Sequence, residues 1–566
     1  MRRAHWAWFA VGVVGCAGDD AFLVVTIDTR PAVHDIRELS VALSNAGTSR
    51  EDTFAVEGAS FPATFSVATP GRTGELGIAV EARDGAGLVV GRGSNAGQIG
   101  DAAVSVLLDS ADFVVNTELA DDQFPSDDFE SHGVQISATA DGTWTVVYRE
   151  RCSTPCNMFA RRFDTTGRPV SSGLAGGTNG FAISTELTTG VATPAVASSD
   201  TTTVAVWDFE EPASGLDGVA CRAFDPLGNP SPQTTIVLET FPDVVSVGAL
   251  ADSTFAVQWT SFVDAAPTIK SAQVDSRCQP SVPVVVSTTP ATGFGGARRG
   301  TVAANGTRLL YAWTLDGAVR GRTANTAPFA FVTSGDVLVV AKPATERVEH
   351  VRVAPLGTGF AVVVRWALDS GDTGPGRLEL IRTDGDGQPI GTTLISTRSG
   401  TDFASREAFG VASRASDGAL LVVWHSCEDN GDASGCGVFG RVVRSNGVPV
   451  GPEFELATTT ELDQTAPSAT ALPGAFAATW RDTSRTAPDG LGSAARARII
   501  YPAFDDARRV LGAACELDDC DPGLSCGPSS DGGNRCFATC DPAGSTPTCP
   551  EGGTCGLATV GSACLF

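Results

Sequence analysis

The stretch "VRVAPLGTGFAVVVRW", Val351 to Trp366, decides the fold. A short strand runs to a Pro- and Gly-containing turn and returns as a strand ending in an aromatic. Its second half, Phe360 to Trp366, is almost continuously apolar, the pattern of a strand covered on both faces. Six variants of this unit surround it: "ISATADGTWTVVY" ending at Tyr148, "TPAVASSDTTTVAVW" at Trp207, "VVSVGALADSTFAVQW" at Trp259, "GTVAANGTRLLYAW" at Trp313, "VASRASDGALLVVW" at Trp424 and "PSATALPGAFAATW" at Trp480. Successive aromatics lie 52 to 59 residues apart, and six of the nine tryptophans occupy this one position. A fixed period of this size marks a repeat architecture.

Working outward from the aromatic, each repeat continues through a variable loop into a third strand and turn, as in "FARRFDTTGRPV" from Phe159, "VACRAFDPLGNP" from Val219 and "LELIRTDGDGQPI" from Leu378. A fourth β-rich piece follows in most repeats, such as "TIVLET" from Thr235 and "EFELATTT" from Glu453. Four short antiparallel strands per repeat describe a propeller blade, and seven repeats a seven-bladed ring over residues 113–506. Blade four keeps its third strand in "AVRGRTANTAPFAF" but loses the usual turn. The seventh repeat lacks a fourth strand. The missing piece is upstream, because "FVVNTELADDQFPSDD" from Phe113 resembles the fourth strand "FELATTTELDQTAPSA" from Phe454. Phe113 to Leu119 is therefore expected to complete blade seven and close the ring.

Before the ring, residues 21–112 contain runs such as "FLVVTID", "ELSVAL", "ELGIAVEARD" and "AVSVLL" between Gly, Asp and Pro turns. About seven strands without a competing helical period predict a β-sandwich. The whole is expected to be all-β.

The chain opens with Met1-Arg2-Arg3 and an apolar run to Gly15, too short to span a bilayer and typical of an export signal, residues 1–15. Val13-Val14-Gly15-Cys16 resembles the lipobox of bacterial lipoproteins, which implies cleavage before Cys16 and acylation of its thiol; residues 16–20 then form a tether. The net charge of −26, or −28 without Arg2 and Arg3, argues against nucleic acid or anionic lipid as partner.

Fourteen cysteines remain beyond Cys16. Eight crowd residues 507–566: Cys515, Cys520, Cys526, Cys536, Cys540, Cys549, Cys555 and Cys564. Without CxxC pairs or a nearby His, this density points to a disulfide module rather than zinc. Cys152 and Cys156 share one loop and Cys427 and Cys436 bracket another, so each pair is expected to bridge locally. Cys221 and Cys278 are left by parity. One falls in a third strand and the other in a turn of the next blade, a placement expected to exceed the ~7 Å limit for a bridge. The succession of sandwich, propeller and cysteine-rich module resembles surface lipoproteins of the myxobacterial kind, a resemblance that carries no activity with it.

Chemistry is sparse. His34, His132, His350 and His425 stand alone, and lone histidines usually decorate loops. No GxSxG, HExxH or P-loop occurs. "TADGTW" at Thr139–Trp144 comes near the Asp-box of propeller sialidases but lacks one residue, and reads as an Asp-Gly hairpin turn. "DGDG" at Asp384–Gly387 reads as a turn, since its counterparts "DTTG" and "DPLG" are plain turns. "HSCEDNGDASGC", His425 to Cys436, offers Glu428, Asp429 and Asp432 as hard oxygen ligands of the kind calcium takes, but the register does not match an EF-hand and a solvated acidic loop is the favoured reading; no other cofactor is implied.

Segments between second and third strands and between blades emerge on one face of a propeller. Here they are long, dissimilar and mostly acidic, as in "DFEEPASGLDG" from Asp208 and "ALDSGDTGPG" from Ala367, whereas the opposite turns are short and alike. Variety on a rigid scaffold suits recognition. The expected function is a lipid-anchored binding or scaffold protein of the bacterial cell envelope, engaging a protein, peptide or polysaccharide. The alternative is a glycan hydrolase or lyase using loop carboxylates as acid and base.

Overall fold

The computed structural model describes residues 22–56, 58–101, 103–117, 134–150, 157–172, 178–184, 194–211, 216–239, 242–250, 253–262, 267–289, 298–368, 376–396, 409–427, 435–490 and 492–502, together with the strand backbones 524–528, 534–538, 554–558 and 561–565. Among these residues the chain is all-β. It divides into two compact units between Ala111 and Asp112.

The first unit has seven strands: β1 (Phe22–Thr29), β2 (Glu38–Asn45), β3 (Thr48–Ala55), β4 (Ala63–Ala68), β5 (Glu75–Arg83), β6 (Val89–Gln98) and β7 (Ala103–Ser110). They form one continuous sheet, order β3-β2-β5-β6-β7-β1-β4. The sheet is narrowest between β6 and β7, where only Gly91–Ser110 and Arg92–Asp109 pair. Its arms share one core, with Leu23, Val25 and Ile27 of β1 clustered with Val41, Ile78 and Val80 of β2 and β5. Sandwich-like burial is thus achieved by a single curled half-barrel. Phe54 and Phe65, from the edge strands β3 and β4, stack with ring centroids 5.8 Å apart across the opening.

The second unit is a ring of seven sheets. Blade one comprises β9 (Val134–Ala138), β10 (Trp144–Glu150), β11 (Asn157–Phe163) and β12 (Phe181–Ala182); blade two β13 (Pro194–Ser198), β14 (Thr203–Glu211), β15 (Leu216–Phe224) and β16 (Thr234–Glu239). Blade three comprises β17 (Asp243–Ala249), β18 (Phe255–Ser261), β19 (Thr268–Val274) and β20 (Val284–Val285). Blade four has five strands, β21 (Arg298–Asn305), β22 (Arg308–Leu315), β23 (Ala318–Asn325), β24 (Ala330–Phe331) and β25 (Val337–Val340). Here β24 and β25 both pair with β23, one at each end, which is how this blade keeps its outer edge without the common turn. Blade five comprises β26 (Glu346–Leu356), β27 (Gly359–Leu368), β28 (Arg377–Thr383) and β29 (Pro389–Leu394); blade six β30 (Phe409–Ser413), β31 (Leu420–Ser426), β32 (Gly437–Val443) and β33 (Pro449–Glu455). Blade seven comprises β34 (Gln464–Leu472), β35 (Ala475–Asp482) and β36 (Ala494–Ile500). Its outer strand is β8 (Phe113–Val114), which pairs antiparallel with β36 through Ala497–Phe113 and Arg496–Val114.

The repeated aromatic ends each second strand and fills the space between blades. Trp207, Trp259, Trp313 and Trp480 are fully buried. At the area such indoles withdraw from water, each contributes up to about 4–6 kcal/mol. The cores therefore lie between sheets: one cluster joins Val204, Val206 and Cys221 of blade two to Phe255, Val257 and Cys278 of blade three.

Polar bonds reinforce these seams. An arginine on the third strand donates from Nη1 to a carbonyl at the end of the preceding blade's outer strand: Arg161 to Val115 (2.7 Å), Arg222 to Ile183, Arg322 to Val286, Arg441 to Ile395 and Arg498 to Leu456 (each 2.9 Å). Burial pushes the Arg161, Arg222 and Arg322 guanidinium groups somewhat down from their usual value. Two seams lack the clasp, because the third strands of blades three and five carry Ala272 and Ile381 at the corresponding position. Between blades two and three stands the Cys221–Cys278 disulfide, with Cα atoms 5.8 Å apart. The expected separation is thus corrected: neighbouring blades stack closely enough to lay the turn of one over the third strand of the other.

The turn itself recurs. In "DTTG", "DPLG", "DSRC" and "DGDG" the leading Asp accepts two backbone N–H groups through Oδ1; for Asp164 these are Thr166 (2.8 Å) and Arg168 (3.0 Å). Asp225, Asp275 and Asp384 do the same. The fourth position is left-handed, with Gly167, Gly228 and Gly387 at φ of 83°, 78° and 79°. In blade three Cys278 holds φ 62° there, a conformation that a side chain enters at a cost.

The last strands, β37 (Leu524–Pro528), β38 (Asn534–Ala538), β39 (Thr554–Ala558) and β40 (Gly561–Leu565), form two hairpins. Their registers set Cys526 opposite Cys536 and Cys555 opposite Cys564.

Candidate functional site

Seven inner strands line a central channel of about 1040 Å³. Glycines allow those strands to approach one another: a Cβ on Gly248 would stand 2.9 Å from the Val302 carbonyl oxygen, and one on Gly410 2.8 Å from the Ser468 Cα. The wall is mostly Ala, Val, Ser, Thr and Pro. Ser468 donates to Gln135 Oε1 across the seam of blades seven and one (3.3 Å). Among the described lining residues the ionisable side chains are Asp200, Arg352 and Arg414. Arg414 is bound to Asp417 through Nε (3.0 Å) and Nη2 (2.6 Å). No two carboxylates face each other in the described wall.

The carboxylates with shifted protonation are pushed toward the charged form. The Thr139 hydroxyl, 2.6 Å away, is the main cause holding Asp141 below the usual carboxylate range. Asp141 is the Asp of "TADGTW", and the segment is a hairpin turn with Gly142 at φ 84°. Burial pushes Asp225 up, but hydrogen bonds from Asn229 and Leu227 outweigh it, so this turn carboxylate too is lowered. Tyr311, fully buried, has its hydroxyl pushed up to about 12 and lies 3.1 Å from the Ser271 hydroxyl across blades three and four. "DGDG" at Asp384–Gly387 is a turn.

On the face that carries the long loops, the described part with the densest polar contacts is at ring closure. Arg496, buried, binds Asp482 through Nε (2.5 Å), Asp112 through Nη1 (2.9 Å) and the Thr486 carbonyl through Nη2 (2.9 Å). Asp112 accepts the backbone N–H groups of Thr458 (2.7 Å) and Thr459 (2.9 Å). Asn116 donates to Asp489 (2.9 Å) and accepts from the Ala495 N–H (3.0 Å). The network extends to blade six: Gln464 donates from Nε2 to Asp482 (3.2 Å) and from its backbone N–H to the Cys436 carbonyl (2.6 Å), while Asp463 accepts the Cys436 N–H (3.0 Å). Cys436 is disulfide-bonded to Cys427, the expected local bridge, so the root of that acidic loop is fixed to the closing seam.

Other expected positions lie elsewhere. Cys16, His132, Cys152, Cys156, Glu428, Asp429, Asp432, Cys515, Cys520, Cys540 and Cys549 lie outside the described residues. For Cys526, Cys536, Cys555 and Cys564 the strand backbone alone is described. His34 sits at the surface, its Nδ1 2.7 Å from Asp35. His350 and His425 are not loop residues: both are buried on strands, β26 and β31. Among the described residues no group of three His, Cys, Asp or Glu is placed to hold a metal ion. Sequence reasoning missed the Arg496 network and the clasps. The signal was present, since Arg161, Arg222 and Arg441 each stand three residues before the turn.

No protein-family model and no curated protein matches the chain. Solved structures similar to it are glycan-active propellers at low identity. An ulvan lyase shares 11% identity with a TM-score of 0.43, covering 69% of this chain and 94% of its own. The NanB sialidase from Streptococcus pneumoniae shares 9% identity with a TM-score of 0.38, covering 86% and 95%. An α-L-arabinofuranosidase from Fusarium graminearum shares 11% with a TM-score of 0.36, covering 54% and 92%. Likenesses this distant say nothing of chemistry.

Proposed function

We propose that this chain is a lipid-anchored, extracytoplasmic binding or scaffold protein of the bacterial cell envelope, whose propeller presents its long loops to a protein, peptide or polysaccharide. The observation that carries the reading is the asymmetry of the ring. One face has short turns built on a repeated Asp contact, and the other carries segments of unlike length in the sequence, those of blades six and seven meeting at their described roots in a buried network. A rigid frame with one variable face is suited to recognition. Two disulfides in the ring support an oxidising compartment, in agreement with the lipobox at Cys16.

The test is capture of envelope fractions by the immobilised full-length protein, followed by assay of the retained material for new reducing ends or unsaturated sugar termini. A saturable ligand retained intact is expected. Catalytic release of sugar fragments, abolished by replacing a loop carboxylate, would overturn the binding reading in favour of a glycan hydrolase or lyase.

A further inference from the structure

The outward faces of the two arms of the half-barrel differ sharply in charge. On the β2-β3-β5-β6 arm the outer surface carries ion pairs of Glu81 with both Arg83 and Arg92. On the β4-β1-β7 arm the corresponding surface begins with Phe22, 56% exposed, and Val24, 36% exposed. The register sets Phe22 beside Ala68, and Val24 between Ser66 and Ala103; Thr26 lies between Thr64 and Ser105. None of these residues is ionisable, and the first charge along β1 is Asp28, at the strand's far end. In a chain of net charge −26, this is a sheet face free of ionisable side chains over most of β1 and led by an exposed Phe.

We infer that this face rests on the lipid bilayer. The inference depends on the lipid-anchor reading of Cys16 and deepens it by assigning an orientation. Five residues separate Cys16 from Phe22, so the start of β1 lies within roughly 20 Å of the acylated residue even when the tether is fully extended. That span exceeds one headgroup layer of about 5–8 Å by less than the length of β1 itself. The unit cannot leave the membrane surface, and it must turn some face toward it. Any charged face pays desolvation on approach, whereas the Phe22 face gains by burying an aromatic at the headgroup boundary. The gain from Phe22 and Val24 is too small to anchor the protein unaided, and its effect is to set which way the anchored unit lies.

The lipidated full-length protein, in vesicles of phosphatidylcholine brominated near the top of the acyl chains, provides the test. Phe22→Trp and Val24→Trp are the reporters, and Ala42→Trp, exposed on the outer face of β2 in the other arm of the same unit, is the control. Each replaces an exposed side chain, and near-identical circular dichroism shows that the fold is kept. At the interfacial depth typical of apposed apolar residues, bromine is expected to remove roughly half of the emission that Phe22→Trp or Val24→Trp adds over wild type, and almost none of that added by Ala42→Trp. Wild-type protein that floats with the vesicles while neither reporter is quenched would overturn the orientation and leave the anchor intact. Absence of an acyl mass on Cys16, with no flotation, would overturn both.

Discussion

The seam between blades two and three and the seam between blades five and six meet the same need with different chemistry. In the second, Arg441 reaches back from its third strand to the Ile395 carbonyl, a charge-assisted hydrogen bond repeated at four other seams. In the first, Ala272 takes the arginine's place, and Cys278 crosses to Cys221. The two devices depend on different surroundings. An arginine clasp forms in any aqueous compartment and weakens only modestly with salt, whereas the disulfide needs an oxidant. Cys278 also occupies the left-handed turn position where four other blades have Gly, so the bridge is retained despite backbone strain. The difference teaches that a ring of near-equal seams can carry one redox-dependent joint without changing the repeat.

The closing seam sets the upper end of the scale. There Arg496 holds two buried carboxylates, Asp482 within its own blade and Asp112, 384 residues away in sequence, beside the strand that completes the blade. Removing one partner of a buried charge set leaves the others uncompensated. Arg496→Met is expected to cost about 3–5 kcal/mol, read as a lower urea midpoint. An effect below that of losing a single clasp would show that closure rests on β8 pairing alone.

Breaking the covalent seam comes next. Cys221→Ala with Cys278→Ala should lose about 2–4 kcal/mol by denaturant titration, and wild type under reductant should lose at least that, since Cys427–Cys436 opens as well. The companion pair Cys221→Ala with Cys278→Gly sharpens the comparison, because glycine restores the residue other blades use at this left-handed position. It should recover about 1 kcal/mol relative to the alanine version. Equal stability of the two pairs would mean that the turn relaxes freely and that Cys278 bears no strain.

An arginine seam should lose less. Arg441→Met keeps the aliphatic stem over the blade and removes the bond to Ile395, so the expected cost is on the order of 1–2 kcal/mol. In the Cys221→Ala, Cys278→Ala background the same decrement should appear, since blades two and three are remote from blade six. A decrement that grows in that background would reveal coupling through the ring.

What was legible in the sequence follows from what period can encode. The aromatic ending each second strand, the Asp-led turn and the missing fourth strand of blade seven all recur or fail to recur at fixed spacing, and the ring with its closing strand follows from them. Spacing within a repeat does not give the distance between repeats, so Cys221 and Cys278 looked too far apart. One local sign was available: "DSRC" replaces Gly by Cys at the turn position. The N-terminal unit shows the opposite limit, because strand patterns identified burial but not whether two sheets or one curled sheet would supply it. The candidate site was least legible. Its loops follow no period, and the buried pairing of Arg496 with Asp112 joins residues that no local pattern connects.

The smallest effect belongs to a carboxylate that mirrors the closing one. Asp336 precedes β25 and accepts the backbone N–H groups of Thr288 (2.9 Å) and Thr289 (2.7 Å) from blade three, just as Asp112 precedes β8 and accepts those of Thr458 and Thr459 from blade six. Burial pushes Asp336 up, yet the bonds from Thr289 and Thr288 outweigh it and leave the group below its usual range. A lowered folded value means that the native state favours the carboxylate. Its contribution is therefore complete above the unfolded value of about 3.9 and is lost as the pH falls through the lower folded value. Asp336→Asn, which cannot ionise, should be less stable than wild type near neutrality, and the gap should close as acid protonates the wild-type group. The half-exposed setting keeps the effect small beside any loss at Arg496. Urea midpoints of the two proteins measured across the acid range check this, and a gap that stays constant with pH would show that Asp336 acts through its shape rather than its charge.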